Sequence, residues 1–286
     1  MQLPKILTVL LAMFFSMLTN GQKSDKFTHS LYEFERGLDL YKKNIFEAAF
    51  NAFTRASENI NLDRKIYEDC AYYLAITAIK LEKKDGEESL LNFTKKYPTS
   101  KHINTAYLAA GNFYYNHGEP SKSLKWFQKV SPKHLTSKEE NTYNFKMGYA
   151  YFSNKKYTEA KQYFLPLTHS KDYTAEANYY YGYISYLQEN YTTAIKYFDK
   201  LEDNKHYHKD ILYYKMNIEF QNENFKKVIS LGNSLLKIVS KQEISEISKI
   251  IGESHFYLGE YNEAIVHLKN FKGRKNKLTN EDHYFL

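Results

Sequence analysis

From Leu31 to Phe271 apolar positions recur at helical spacing, and the pattern itself returns every 34 to 40 residues. Ala71-Tyr72-Tyr73-Leu74-Ala75 comes back 34 residues later as Thr105-Ala106-Tyr107-Leu108-Ala109, and Met147-Gly148-Tyr149 as Tyr181-Gly182-Tyr183. Seven anchors set the register: Gly37, Thr77, Gly111, Gly148, Gly182, Met216 and Gly252. Twelve residues after each stands a small or modest residue: Ala49, Ser89, Ser123, Ala160, Ala194, Val228 and Ala264. Four further on comes a large apolar side chain, Phe53, Phe93, Phe127, Phe164, Phe198 or Leu268, with Gly232 the exception. Short polar turns such as Asn154-Lys155-Lys156-Tyr157 lie between. Each unit therefore reads as helix A, a tight turn and helix B. The small positions let the two helices approach, and the aromatic fills the groove beyond. Pro120 falls where a helix B should begin, at a position that needs no N–H. Pro98 and Pro132 fall where helix B should stop, and Pro166 predicts an early stop or kink.

These residues resemble the tetratricopeptide repeat, whose pattern includes the small anchor, a Tyr three later (here Tyr114 and Tyr151) and the Ala-x3-Phe of helix B. The family's tryptophan is absent; the single Trp126 falls in a helix B. The resemblance implies an all-α fold, a right-handed α-solenoid of about seven helix-turn-helix repeats over residues 31–273. The stretch from Tyr97 to Val130 is also similar to repeats of exported bacterial cell-envelope proteins.

The ends read differently. Lys5 followed by the mostly apolar run Ile6–Leu18, then Thr19-Asn20-Gly21, predicts a signal peptide over residues 1–21. The run is shorter than the roughly 20 residues of a membrane span. Export to the periplasm of a Gram-negative cell, or otherwise to the outside, follows. Residues 22–30 form a short N-terminal segment. Residues 274–286 read as the start of an incomplete further repeat, which predicts either a truncated gene product or an end that self-associates with another chain.

Composition narrows the chemistry. The 286 residues are 17% aromatic, mostly 28 Tyr and 19 Phe, which argues against disorder. Eleven Gly and five Pro are too few for a turn-dense β fold. Cys70 is the single cysteine, which excludes an internal disulfide and any Cys-rich metal site, and it reads as a buried small residue. No phosphate loop, dinucleotide fingerprint, metalloprotease motif or nucleophile elbow is present. His206-Tyr207-His208 with Asp210 reads as a polar connector rather than a metal site. Glu87-Glu88 and Glu139-Glu140 open helices, where acids complement the dipole. The net charge of +7 is spread over turn lysines such as Lys42-Lys43, Lys83-Lys84 and Lys226-Lys227, not gathered into a nucleic-acid stripe. Neither catalysis nor a cofactor is expected.

What remains is the surface of the A helices, which lines the inner face in such repeats. The resemblance places groove positions three before, one after and four after each anchor. Asn112, Tyr149, Tyr179, Tyr183, Tyr186, Tyr213 and Asn217 fall there, as candidates for binding a partner protein in a tyrosine-rich trough. The same rings also suit packing between helices, and the sequence leaves that alternative open. Chaperone-tail-binding members of the family clamp a carboxylate with Lys three before and Asn one after the anchor. Asn112 follows Leu108 and Asn217 follows Tyr213, so that clamp is not reproduced. The expected function is a non-catalytic protein–protein interaction scaffold or adaptor of the cell envelope, touching membrane only through a partner. A regulatory or substrate-presenting segment of a larger envelope machine is the alternative, and glycan binding by the tyrosines a third.

Overall fold

The computed structural model describes residues 27–58 and 63–271. The expected signal peptide and the incomplete further repeat lie outside the described residues. Among the described residues the helices run in seven A/B pairs: α1 (27–42) and α2 (Phe46–Ser57); α3 (Arg64–Lys80) and α4 (Gly86–Lys96); α5 (Ile103–Asn116) and α6 (Pro120–Phe127); α7 (Ser137–Ser153) and α8 (Tyr157–Phe164). They continue with α9 (Thr174–Leu187) and α10 (Tyr191–Asp199); α11 (His208–Gln221) and α12 (Phe225–Leu236); α13 (Ile244–Tyr257) and α14 (Tyr261–Leu268). No strand occurs among the described residues. The chain forms two compact units, one ending at Asn154 and the other beginning at Lys155.

The turns explain the register. In six repeats a residue seven after the anchor adopts the left-handed conformation: Asn44, Gly118, Lys155, Glu189, Glu223 and Gly259. The next N–H then reaches back to a carbonyl of helix A, as in Asn190 N to Ser185 O (2.8 Å) and Asn224 N to Glu219 O (2.9 Å). This closes helix A by satisfying one of its orphan carbonyls. Every helix B starts nine residues after its anchor. Local signals agree: Asp63 caps α3 through Lys65 N and Ile66 N, Asn190 caps α10, and Thr136 with Glu139 forms a capping box on α7. Pro120 is the first residue of α6. Pro166 stands inside a 3-10 segment, Leu165–His169, and α8 ends before it as its sequence predicts.

In four repeats the large side chain sixteen after the anchor sits directly over it. A Cβ added at Gly37, Gly111, Gly182 or Gly252 would meet Phe53, Phe127, Phe198 or Leu268 at 2.4–2.8 Å. Those four side chains are buried. The sixth repeat inverts the arrangement: Met216 is the large partner and Gly232 the small one, with Met216 Sδ 3.3 Å from a Cβ built there. The second repeat corrects the sequence reading. Its α3 ends only three residues past Thr77, and the left-handed residue is Glu82. The face that α4 buries is turned by about one residue, so Gly86, Leu90 and Phe93 point inward while the expected Ser89 is half-buried.

Candidate functional site

Helix α9 carries five tyrosines, and its period separates them. Tyr180 stacks on Phe164 (5.1 Å between centroids), and Tyr181 lies against Tyr197 (4.3 Å) with Lys161 Nζ over its ring. Tyr179, Tyr183 and Tyr186, at i, i+4 and i+7, form one stripe. Tyr214 of α11 packs against that stripe, 5.0 Å from Tyr183 and 5.1 Å from Tyr186, and stacks on Phe198 (5.7 Å). Tyr207 stacks on Tyr179 at 4.5 Å, and Tyr191 lies 6.2 Å from Tyr186. Beneath them run Ala194, Phe198, Leu201, Ile211 and Ile218. The stripe is thus half-buried: one face of each ring belongs to the core, and the rest meets solvent.

The hydroxyls are organised too. Tyr214 is hydrogen-bonded to Tyr179, which donates to Asp210 Oδ2 at 3.4 Å. Burial, then the neighbouring Tyr179, pushes the Tyr214 hydroxyl far above the usual tyrosine range. Burial with nearby Glu176 raises Tyr207 to about 12. Both stay protonated, so the surface offers fixed donors with an acidic end at Asp210.

Tyr213 is the most exposed of the predicted tyrosines, with 37% of its surface in solvent, and its ring stands edge-on to Tyr214 at 5.8 Å. Asn217 donates its amide to the Tyr213 carbonyl within its own helix, at 2.8 Å. Asn112 and Tyr149 belong to the first unit. Asn112 accepts from Lys146 Nζ at 2.6 Å, and burial lowers the Lys146 pKa. Tyr149 lies edge-on to Tyr115 at 5.5 Å. The structure therefore gathers Tyr179, Tyr183, Tyr186 and Tyr213 within the second unit, together with Tyr214, Tyr207 and Tyr191, which the sequence reading missed. One signal pointed to Tyr214. It follows Phe198 by sixteen residues, as Tyr180 follows Phe164, and both pairs stack.

Cys70 is fully buried against the Phe53 carbonyl (3.5 Å), and burial raises its thiol to about 12. His206 stands edge-on to Tyr207. Among the described residues no group of three or more His, Cys, Asp or Glu is placed to hold a metal ion, and no helix is long and apolar enough to cross a membrane.

The sequence profile of the tetratricopeptide repeat matches residues 145–207. No curated protein matches the chain in sequence. Among solved structures, the C-terminal part of a TPR repeat-containing protein from Cytophaga hutchinsonii superposes with a TM-score of 0.57 at 15% identity, over 88% of this chain and 99% of that one. MamA of AMB-1 gives 0.52 at 15% identity, over 63% and 93%. YrrB, a TPR protein described as having an unusual peptide-binding site, gives 0.51 at 17% identity, over 71% and 97%. The fold is that of the tetratricopeptide-repeat proteins.

Proposed function

We propose that the chain is a non-catalytic interaction scaffold of the cell envelope that holds a segment of a partner protein against the tyrosine face of its second unit. The observation that carries this is the half-buried stripe of Tyr179, Tyr183 and Tyr186, backed by Tyr214 and edged by the exposed Tyr213. Packing fixes these rings, so little side-chain entropy is left to lose on binding. Each ring offers a broad apolar face and a polar tip, the combination that suits wet protein interfaces. The fold shared with a peptide-binding repeat protein supports the same reading, and the signal-like residues 1–21 support export. The test compares wild type, Tyr183→Ala and Tyr149→Ala as bait for proteins of the native cell envelope, with circular dichroism to monitor the fold. An aromatic hot spot commonly costs about 2 kcal/mol on truncation, roughly thirtyfold in affinity. Tyr183→Ala is expected to lose capture with its helical circular dichroism retained, at a melting temperature a few degrees lower because one face of the ring packs on Tyr214. Capture that survives in a folded Tyr183→Ala protein overturns the proposal.

A further inference from the structure

A pocket of about 290 Å³ opens in the second unit between the first turn of α11, the end of α12 and the first turn of α13. Its floor is apolar: Leu235 and Ile247 are buried, and Val239 and the Tyr213 ring complete the wall. Its rim is acidic. Lys209 is matched by Glu243 at 2.7 Å, and Glu243 is further held by Ser240 N and Oγ. Those two charges cancel. Asp210 and Glu246 remain on the rim, and the nearby Lys249 is engaged with Glu253 at 3.5 Å. The result is a net negative mouth over an apolar floor, on a chain whose net charge is +7.

Acids in the first turn of a helix are ordinary complements of its dipole. The dipole does not explain why they should ring an open apolar hollow beside an exposed tyrosine. We infer that this pocket receives an apolar side chain of the partner segment whose neighbouring residue is a lysine or arginine. The apolar group displaces water from Val239 and the Tyr213 ring and comes to rest over the buried Leu235 and Ile247. The cation's hydrocarbon stem lies along Val239 and Tyr213 while its head reaches Asp210 and Glu246. The inference rests on the tyrosine face being the partner surface, to which the pocket is joined: Tyr213 borders both, and Asp210 accepts the Tyr179 hydroxyl.

The experiment uses the full chain and NMR titration with a peptide carrying one Leu-Lys pair in a Gly/Ser background. A second peptide replaces the lysine by norleucine, and a third replaces the leucine by serine. Shifts at the Leu235 and Ile247 methyls are expected with the first. Norleucine should weaken binding about fivefold, the worth of a partly exposed ion pair. Serine should abolish it. The double variant Asp210→Asn, Glu246→Gln should lose the same fivefold toward the lysine peptide and nothing toward the norleucine peptide. Equal binding of the lysine and norleucine peptides, indifference of the double variant, or no methyl shifts with any peptide overturns the inference. The tyrosine reading fails separately, if Tyr183→Ala leaves envelope capture intact.

Discussion

Adding one methyl group at Gly182 tests the packing on which the tyrosine face stands. A Cβ there would lie 2.8 Å from Phe198 Cε1, 2.9 Å from Cδ1 and 3.4 Å from the Ala194 carbonyl oxygen. Carbon atoms pack comfortably at about 3.5–4.0 Å, so the ring must retreat by roughly 0.7 Å or more. Phe198 is fully buried and stacked on Tyr214, which itself supports Tyr183 and Tyr186, so it has no empty space to enter. Overpacking of this kind costs about 1–3 kcal/mol. Alanine returns about 1 kcal/mol through its better helix propensity. The expected net effect of Gly182→Ala is a loss of up to about 2 kcal/mol, read as a lower urea midpoint and a lowered melting temperature. Phe198→Leu in the same chain should couple favourably, so that the double variant is less unstable than the two single losses added together. A rise in the urea midpoint for Gly182→Ala alone would refute the reasoning, because that is how an uncrowded helical glycine behaves.

The turns offer a second prediction: Glu189 and Lys155 are left-handed with φ of 58°, so Glu189→Gly and Lys155→Gly should raise the unfolding free energy from urea melts by about 0.5–1 kcal/mol, whereas Gly259→Ala, at φ 77° with open space around it, should lower it by about 1 kcal/mol. A third concerns acid. Burial pushes the Glu219 carboxyl up, but Lys227 (2.5 Å) and the Asn224 amide (2.7 Å) outweigh it and hold the pKa below its ordinary 4.5. The unfolded state therefore binds the proton first. Glu219 contributes its full stability above about pH 4.5 and loses it as pH falls through the folded value. Glu219→Gln should cost about 1 kcal/mol at pH 7 in urea melts, and the gap to wild type should close in acid; a gap independent of pH would contradict this.

Much of the fold was legible because one geometric relation is repeated. A small anchor and a large side chain sixteen residues later are in register only if a helical hairpin closes between them. The second repeat shows where that reading breaks. There the left-handed residue is Glu82, five past the anchor, so α3 closes early and α4 turns Leu90 inward in place of Ser89; the residue type at 84 does not announce this, since Lys155 makes the usual turn in the fourth repeat. The stripe Tyr179–Tyr183–Tyr186 was equally legible, since it lies on one helix. Tyr214 was legible only through its sixteen-residue step from Phe198, because its place is set by stacking on that ring of the preceding repeat, a relation between hairpins rather than within one. The acidic-mouthed pocket was beyond sequence reading, as its floor and rim come from three helices.

The pocket also lies where the repeat departs from its own pattern. In the fifth repeat a single ring, Phe198, fills the space over Gly182. In the sixth, Met216 on α11 faces Gly232 on α12, and Ile251 from the next A helix shares the opening, 2.6 Å from a Cβ built on that glycine. Met216, Val228, Leu235, Ile247 and Ile251 form one buried cluster. A flexible thioether and a branched side chain from two helices fill this junction in place of one flat ring. Leu235 and Ile247 continue the cluster outward and become the floor of the pocket. The departure is stably packed, because Met216, Leu235 and Ile251 are all fully buried. A glycine that breaks the repeat on the inside thus accompanies an apolar hollow on the outside, beside the exposed ring of Tyr213. A sequence that replaces its structural rule by a compensated alternative in the sixth hairpin is expected to do so where the surface has a separate task.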